Sequence, residues 1–469
     1  MHAAGKLVVT DKSPASVVWF RRDMRLLDNQ ALCAAMATGY RVHAIYIVDE
    51  LTAAPWLPGG ASRWYLHHSL VSLQASLARI GIRLHLFKGD PVEILPRVTR
   101  EVSGKHVVWN YLAEPSQLQV DRKLEAGLKN SGCEVEVFHD DTLLPPMAVQ
   151  KQDGSHYKVF TPFWKRSREL LLNTDSKLSL RDIPRAQVKP VAFDPADVSA
   201  LELLDDHSWH DKLHDYWQPG EAAANARMEY FLSDIVADYS VMRDVPAEDG
   251  TSRLSAALHF GELSVTRAFA RSQEILQTDS KKACKDSLLR FQSELGWREF
   301  ARYTLMQHPR STDTSLDSRF ETDWVWQQGT DLLSKWQHGE TGIPLVDAGM
   351  RQLWQTGWMH NRVRMICASF LTKNLGIHWI HGARWFWDTL VDADLASNTL
   401  GWQWVAGCGT DAAPYYRVFN PLLQAGKFDP NSTYVKRWLG DEVNEKPIVD
   451  VKKSRVDALA RYQAMRDAT

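Results

Sequence analysis

Short apolar segments alternate with helical patterns over the first 140 residues, and this alternation constrains the fold more than any other feature of the chain. Amphipathic patterns cover residues 62–81 and 118–132, and Gly81 and Gly132 stand where helix C-caps belong. The β-branched and aromatic runs between them occupy residues 16–22, 42–48, 82–87, 105–109 and 134–138. Strands that alternate with helices build a parallel sheet covered on both faces. The sequence therefore predicts a doubly wound α/β domain.

The rest of the chain shows a different pattern. Residues 139–205 are rich in Pro, Asp and Ser and contain few periodic apolar runs, which is typical of a long connection. Helical periodicity starts at about residue 206 and continues toward the end of the 469 residues. We predict an α/β domain at 1–140, an interdomain linker at 141–205 and an all-α domain at 206–469.

Composition narrows the class of protein. The five cysteines are scattered without a CxxC pair, which argues against a structural zinc site and a disulfide scaffold. The net charge of −2 means that binding to nucleic acid would need a local basic patch. There is no apolar run of membrane-spanning length and no secretory pattern. We expect a cytoplasmic, monomeric protein without a metal site.

The usual nucleotide-binding motifs are missing from this sequence. There is no GxxxxGK[ST] loop, and the turn after the first strand reads RRDMRLLDN instead of GxGxxG. The nearest similar segment, residues 407–412, follows a tryptophan-rich stretch and not a strand. These absences argue against a conventional flavin oxidoreductase or an adenine-nucleotide enzyme built on the α/β domain.

The run from Thr251 to Ser255 has two interpretations. Its hydroxyl side chains suit the N-cap of the helix that follows, and spacing alone favours this interpretation. Alternatively, the hydroxyls, backbone N–H groups at a helix start and Arg253 form an anion site for a pyrophosphate.

Two further helices each place an aromatic, a polar and an arginine side chain on one face. Such faces are typical of ordinary ion pairs beside core tryptophans, but they would also suit the two walls of one cavity. The members are Glu294, Trp297 and Arg298 on one helix, and Trp358, Asn361, Arg362 and Met365 on the other.

Asp392, Asp394 and Asn398 form a third polar group. They suit the start of a helix, where acidic residues are favourable, or contacts to the donors of a cofactor ring or ribose. The surrounding region is rich in indole rings, because 12 of the 19 tryptophans lie between Trp297 and Trp438. Most of these rings suit core packing, so position and not number has to identify any redox role.

Six motifs of the chain belong together. They are WFRRDMRLLDN at 19–29, TSRLS at 251–255, ELGWREF at 294–300, TGWMHNRVRM at 356–365, DADLASNTLGWQW at 392–404 and TDAAPYYRVFNP at 410–421. In this order and over essentially the whole chain, they resemble the photolyase/cryptochrome family. Residues 346–365 and 386–395 are most similar to the class III photolyases of bacteria.

The resemblance implies a noncovalent FAD in the helical domain. The run 251–255 would hold the pyrophosphate, Asn398 would lie near flavin N5, and Arg364 would help to hold an anionic flavin. Phe291 stands where some relatives have tryptophan. The implied FAD-binding residues are Tyr239, Thr251, Ser252, Arg253, Leu254, Ser255, Phe291, Arg298, Arg364, Asp392, Ala393, Asp394 and Asn398.

The resemblance also implies an electron relay to the flavin. Trp402 would be nearest to the flavin, Trp379 would follow, and Trp326 would lie at the surface, with Trp324 as a possible substitute for the last position. This relay would reduce photoexcited, oxidised flavin.

The implied partner is UV-damaged DNA with a flipped-out pyrimidine dimer. Glu294 would hydrogen-bond the dimer base, and Trp297, Trp404 and Met365 would form the walls of its pocket. The residues implied to contact the substrate strand are Arg243, Asn361, Arg362 and Gln424.

The activity implied is light-driven repair of cyclobutane pyrimidine dimers by electron transfer from excited FADH⁻, as in a deoxyribodipyrimidine photo-lyase. Enzymes for (6-4) photoproducts place histidines where this chain has Asn361 and Met365, and proton transfer needs them. The alternative is a blue-light signalling cryptochrome with little repair activity.

An antenna is the last implied feature. Ser116 and Gln117 stand where the folate-binding Asn and Glu of the enterobacterial type would be. We therefore expect 5,10-methenyltetrahydrofolate in a different position, with 8-hydroxy-5-deazaflavin second and no antenna third.

Overall fold

The apolar runs of the N-terminal region form one parallel sheet. The computed structural model describes residues 13–173, 190–204, 208–278, 282–327, 329–411, 416–440 and 446–467. The strand order is β3-β2-β1-β4-β5, and every neighbouring pair is parallel. The strands are β1 (Ala15–Phe20), β2 (Arg41–Val48), β3 (Leu84–Lys88), β4 (Gly104–Asn110) and β5 (Glu134–Phe138).

Both faces of this sheet are covered, as the apolar runs predicted. Along β1, Val18 and Phe20 belong to one core cluster, whereas Val17 and Trp19 belong to another. This alternation follows from the two-residue period of a strand. The covering helices are α1 (Gln30–Ala37), α2 (Gly60–Arg79), α3 (Pro91–Glu101) and α4 (Pro115–Asn130).

The two glycines predicted at helix ends are confirmed. Gly81 has φ +77° and Gly132 has φ +84°, each two residues after the last helical residue of α2 and α4. A left-handed conformation at this place costs glycine little, because it has no Cβ.

Helices dominate the remainder of the chain, so the predicted fold class, an α/β domain followed by a helical one, is confirmed. Within the described ranges, no helix has the length and apolar character needed to cross a membrane. The helices are α5 (Phe160–Asn173), α6 (Ala196–Ser199), α7 (Glu221–Tyr230), α8 (Tyr239–Met242), α9 (Ser255–Phe260), α10 (Val265–Thr278), α11 (Lys282–Gln307), α12 (Arg319–Thr322), α13 (Thr330–His338), α14 (Pro344–Thr356), α15 (Asn361–Ser369), α16 (Trp379–Thr389), α17 (Leu395–Ala406), α18 (Pro421–Phe428), α19 (Thr433–Leu439) and α20 (Val451–Asp467).

Short irregular helices connect several of these elements. The 3₁₀ segments are Pro146–Ala148, Ser208–Asp215, Val236–Asp238 and Pro309–Thr312, and the π-helical turns are Phe231–Ile235 and Phe370–Asn374.

The segment predicted as a long connection contains a full helix, so that description of 141–205 was incomplete. Helix α5 buries Phe160, Phe163 and Trp164 in a core shared with α10 and α11. The aromatic residues have helical spacing, but the surrounding Pro and Asp obscured it. Residues 174–189 and 205 of this segment lie outside the described residues. The domain boundaries themselves stay predictions.

Helix α2 of the α/β domain contacts the end of α16 and the loop that follows. The Gly60 N–H donates to Asp388 Oδ1 at 2.9 Å, and Ser62 Oγ donates to the Leu390 carbonyl at 3.2 Å. The Trp387 indole N–H donates to the Leu57 carbonyl at 2.6 Å. The loop at 390–394, which enters α17, is therefore positioned partly by the α/β domain.

A buried acid also lies between the domains. Tyr65 of α2 donates to Glu262 Oε2 at 2.7 Å, and both side chains are buried. Burial raises the pKa of Glu262 to about 7. The folded protein therefore favours the protonated form of Glu262. As pH rises from about 4.5 toward 7, the free energy of unfolding decreases, because the unfolded chain ionises this acid more readily than the folded protein does.

Replacing Glu262 with glutamine should stabilise the protein at pH 8 and have little effect at pH 4.5. The amide needs no proton to remain neutral, so the expected gain at pH 8 is roughly 3 kcal/mol in the free energy of unfolding. Thermal unfolding at the two pH values measures it, with Glu134→Gln at an exposed position of β5 as the control. Equal effects of Glu262→Gln at both pH values would contradict this.

Candidate functional site

A cavity of about 190 Å³ lies where α15, α16 and α17 meet. It brings together several residues that the sequence assigned to the flavin and to the substrate. Its lining is Asn361, Arg364, Met365, Ala368, Phe386, Leu390, Asp392, Ala393, Asp394, Ser397, Asn398, Gly401, Trp402 and Val405.

An ion pair fixes one wall of this cavity. Arg364 Nη2 lies 2.9 Å from Asp392 Oδ2 and 3.1 Å from Oδ1, and Arg364 Nε donates to the Met359 carbonyl at 2.7 Å. The Asp392 carboxylate is almost fully buried. A buried charge with a hydrogen-bonded partner keeps its orientation, so this pair presents a fixed cation and a fixed anion to a ligand.

Asp394 forms the N-cap of α17, as one of the two interpretations of its position predicted. Its side chain accepts from the Ser397 N–H at 2.9 Å. It also accepts from Arg302 Nη2 at 3.0 Å and contacts His259 Nδ1 at 3.4 Å. Burial opposes ionisation, but Arg302 and His259 hold the pKa of Asp394 well below its usual range. The cavity therefore has a permanent carboxylate in its wall.

Asn398 lies one turn into α17. Its Nδ2 donates to the Ala383 carbonyl of α16 at 3.0 Å, which fixes the plane of the amide. The opposite, carbonyl side of the amide is then the group that a ligand in the cavity can meet.

The run from Thr251 to Ser255 lies outside the lining of this cavity and does not cap α9 through a side chain. The N-cap is Leu254, and Ser252 Oγ accepts from the Leu254 N–H at 3.4 Å, so the capping interpretation was wrong. Arg253 has φ +53° and its guanidinium lies 5.2 Å from the Trp358 ring. Arg364 lies 5.9 Å from the same ring, which connects this run to the cavity.

Three other predicted cofactor residues also lie outside the lining. Tyr239 and Phe291 are buried, with ring centroids 6.2 Å apart. Arg298 pairs with Asp141 and donates to the Leu258 carbonyl at 3.2 Å. Their assignment to FAD stays a prediction.

The predicted substrate residues are linked by ion pairs through Arg243 and Asp244. Arg243 pairs with Glu294, and Asp244 accepts from Arg362 Nη2 at 2.7 Å. Arg243 and Asp244 are neighbours in sequence, so they connect the α11 face that carries Glu294 with the α15 face that carries Arg362. The sequence alone did not show whether these two faces meet. Glu294 also lies 3.4 Å from Arg290 Nε.

The remaining substrate residues have separate contacts. Trp297 stacks on Phe160 with a centroid distance of 3.7 Å and an interplanar angle of 9°. The Trp404 indole N–H donates to the Asp411 carbonyl at 2.9 Å. Gln424 is partly exposed on α18 and, like Trp297 and Trp404, lies outside the cavity lining.

The predicted relay tryptophans differ in their position relative to the cavity and the surface. Trp402 lines the cavity, Trp379 is fully buried, and Trp326 is partly exposed. The His378 ring contacts both of the last two, with its centroid 5.6 Å from Trp379 and 4.7 Å from Trp326. Trp324 is buried, 5.7 Å from Trp326.

A glycine allows Trp402 to approach α16. A Cβ added to Gly382 would lie 2.0 Å from Trp402 Cη2, so only glycine fits there. Gly382 is one turn after Trp379, which places the Trp402 ring against the helix that carries Trp379.

Comparisons with known proteins identify the family of this chain. The FAD-binding domain of DNA photolyase matches residues 291–446, and the DNA photolyase domain matches residues 16–184. A deoxyribodipyrimidine photo-lyase of Agrobacterium fabrum is 38% identical, with 98% of this chain and 99% of the relative covered. The chain belongs to the photolyase/cryptochrome family.

Two solved structures of the family are also similar. A bacterial class III photolyase from Agrobacterium tumefaciens has a TM-score of 0.88 and 36% identity, with 99% of this chain and 100% of that chain covered. A cryptochrome of Synechocystis sp. PCC6803 has a TM-score of 0.81 and 28% identity over 97% of this chain and 100% of that chain. The predicted family is confirmed, and so is the predicted similarity to a bacterial class III photolyase.

The helical domain of this photolyase/cryptochrome member is an FAD-binding domain. The cavity residues fit such a cofactor. An added Cβ on Gly401, which lines the cavity, would meet no atom within 4 Å, so the space over this part of α17 is open. The aromatic rings of Trp402 and Phe386 and the fixed Arg364–Asp392 pair suit a planar ring system with polar edges.

His360 is next in sequence to Asn361, one of the two positions where (6-4) enzymes have a histidine, but it does not lie in the cavity wall. It is the N-cap of α15 and accepts from the Arg362 N–H at 3.2 Å. Burial lowers the pKa of His360 to about 4, so the ring is neutral at pH 7. It lies outside the cavity lining, whereas Asn361 and Met365 form part of it.

The sequence analysis did not predict a second cavity, of about 130 Å³. It lies beyond the carboxyl ends of β1 and β2, where α/β domains commonly bind ligands, and this position was its only sequence signal. Its lining is Trp19, Arg21, Arg22, Tyr46, Ile47, Asp49, Ala53, Trp56, Pro58, Ser62, Leu66, Leu112, Gln117, His259, Phe260, Trp387 and Ala393. We call it the interdomain cavity.

Proposed function

We propose that this protein is a deoxyribodipyrimidine photo-lyase, which uses blue light to split cyclobutane pyrimidine dimers in UV-damaged DNA. One observation carries the proposal: predicted substrate residues and predicted flavin residues line the same cavity. Asn361 and Met365 belong to the first group, and Arg364, Asp392 and Asn398 belong to the second. Electron transfer between a cofactor and a substrate requires this proximity.

FAD, in its reduced anionic form, supplies the electron for the reaction after it absorbs light. In our proposal Arg364 offers a positive charge to the anionic ring, and its pair with Asp392 prevents the arginine from moving. Asn398, whose amide is held by the Ala383 carbonyl, would offer the ring a neutral hydrogen-bonding group. The run 251–255 holds the pyrophosphate, and Arg253 is oriented by its contact with Trp358.

Replacing Gly401 with leucine should prevent FAD binding without unfolding the protein. The new side chain would occupy the open space over α17, and a leucine inside a helix is favoured over glycine by roughly 0.8 kcal/mol. The flavin absorbance per protein measures occupancy. Gly127→Leu is the matched control, because Gly127 lies in α4 and its Cβ position is equally open. Full occupancy in Gly401→Leu would place FAD elsewhere.

On the substrate side, we propose that the dimer is flipped out of the duplex toward Asn361 and Met365. Flipping costs a few kcal/mol, and least for a damaged base. Glu294 hydrogen-bonds the dimer base, and Arg243 and Arg362 contact the strand, with both arginines held by acidic partners in the free protein. Trp297, Trp404 and Gln424 complete the contact surface. We propose that the protein acts as a monomer.

Cyclobutane dimers suit these side chains better than (6-4) photoproducts. In the repair of a cyclobutane dimer, the electron that the dimer receives from the flavin would go back to the flavin after the ring splits. This cycle needs no histidine to transfer a proton. The cavity offers the amide of Asn361 and the thioether of Met365 at the relevant positions, and neither is a proton donor of the histidine type.

The decisive experiment measures loss of thymine dimers from an oligonucleotide. FAD-loaded protein is reduced with dithionite, mixed with the damaged strand and exposed to blue light, with a dark sample and a (6-4) oligonucleotide as controls. Light-dependent loss of cyclobutane dimers alone is expected. No repair in a sample with confirmed reduced FAD would overturn the proposal and favour a signalling cryptochrome.

We further propose that an antenna pigment accompanies FAD, with 5,10-methenyltetrahydrofolate preferred and 8-hydroxy-5-deazaflavin second. Aromatic rings and two arginines line the interdomain cavity, which suits the ring system of the deazaflavin, and the folate would bind in a position that differs from that of the enterobacterial type. The absorption spectrum of the purified protein, followed by extraction of its pigments, distinguishes the two. A spectrum of FAD alone would contradict both.

A further inference from the structure

The buried carboxylate of Asp394 lies between the two cavities. Ala393 lines both of them, and the adjacent Asp394 lines the FAD-domain cavity. On the other side, Asp394 Oδ2 contacts His259 Nδ1 at 3.4 Å, and His259 lines the interdomain cavity. A charge placed on the interdomain side of this carboxylate therefore lies close to the flavin site.

Arg22 supplies such a charge from the turn after β1. Its Nη1 pairs with Glu114, the N-cap residue of α4, and lies 3.8 Å from Asp394 Oδ2. Both carboxylates are more than nine-tenths buried. One guanidinium of the α/β domain is thus shared between two buried anions, and only one of these anions touches the FAD-domain cavity.

We propose that Arg22 is a positioning residue for the FAD site, and that its sharing between Glu114 and Asp394 sets how readily the bound flavin is reduced. Reduction of FAD to FADH⁻ takes up two electrons and one proton, so it adds one negative charge. In a buried medium of low effective dielectric constant, the charge of Arg22, which lies 3.8 Å from a carboxylate in the wall of the flavin site, changes the free energy of that step. The inference rests on FAD lying beside Asp394, and it does not depend on the substrate.

The alternative is that these ion pairs only hold the two domains together. The two roles predict different signs. If Arg22 acts electrostatically, Arg22→Gln removes a cation and disfavours reduction, whereas Glu114→Gln removes an anion, leaves Arg22 to Asp394 and favours reduction. If the pair is only structural, breaking it from either side has the same consequence.

The test is a redox titration of the FAD-loaded protein with dithionite and mediator dyes, followed by flavin absorbance. At a fixed potential near the midpoint of the unaltered protein, the ratio of reduced to oxidised flavin should fall roughly three- to tenfold in Arg22→Gln and rise by a similar factor in Glu114→Gln. The double variant should lie near the unaltered protein. Arg122→Gln removes an exposed cation of α4 and should change nothing.

Shifts of the same sign in the two single variants, or no shift in either, would overturn the proposal. If Arg22→Gln does not fold or does not retain FAD, two other variants test the proposal. Glu114→Gln must still favour reduction of the flavin. Arg22→Lys keeps the positive charge, so its ratio of reduced to oxidised flavin must stay near that of the unaltered protein. Because no DNA is present, these results are independent of the repair assay.

Discussion

Replacing Trp402 with phenylalanine is expected to reduce photoreduction of oxidised FAD to background while leaving repair by chemically reduced protein intact. Trp402 is the one predicted relay residue that lines the cavity, and a benzene ring is much harder to oxidise than an indole. Repair itself starts from reduced FAD and does not use the relay. The measurement is the loss of oxidised-flavin absorbance under blue light with an external reductant.

Trp336 provides a matched control for this variant. It is fully buried in the same core, and its ring lies 6.1 Å from Trp402, but it is not a member of the predicted relay. Trp336→Phe should therefore photoreduce FAD normally. Normal photoreduction in Trp402→Phe, or equal loss in both variants, would place the electron path elsewhere.

Replacing Glu294 with alanine is expected to lower the repair yield roughly 10- to 100-fold, the range for one charge-assisted hydrogen bond of about 1.5–3 kcal/mol. FAD should remain bound, because Glu294 pairs with Arg243 and Arg290, and neither arginine is proposed to hold the cofactor. The measurements are the yield of repaired dimer per absorbed photon and the flavin occupancy.

Two variants control for the loss of charge on α11. Asp286→Ala removes an exposed acid of the same helix and should leave repair unchanged. Glu294→Gln keeps a hydrogen-bonding group and should retain part of the yield. Loss of flavin from Glu294→Ala would instead assign this residue to the cofactor.

Much of the architecture was predictable because the signals were local. Each strand of the sheet carries its own β-branched run, and the helices between them carry caps such as Gly81. Helix α5 was missed because its short apolar face lies between segments rich in Pro and Asp. The packing role of Phe160, which stacks on Trp297, is visible only in the folded protein.

The candidate site was predictable to a smaller extent. The family resemblance assigned Asn361 to the substrate and Arg364 and Asp392 to the flavin, and all three line one cavity. The partners of Asp394 were not foreseeable. Arg22 and Arg302 come to Asp394 from distant parts of the chain. These ion pairs depend on how the two domains pack, which the sequence does not show.

The contact between α2 and the end of α16 has a consequence for exchanging domains between relatives. Gly60 and Ser62 hydrogen-bond Asp388 and Leu390, and a Cβ at Gly59 would lie 2.4 Å from the Asp388 backbone. A chimera that joins this helical domain to another α/β domain would need a compatible glycine turn there. Without it, the loop carrying Asp392 would shift, and an exchange made in the α/β domain would disturb the FAD-domain cavity.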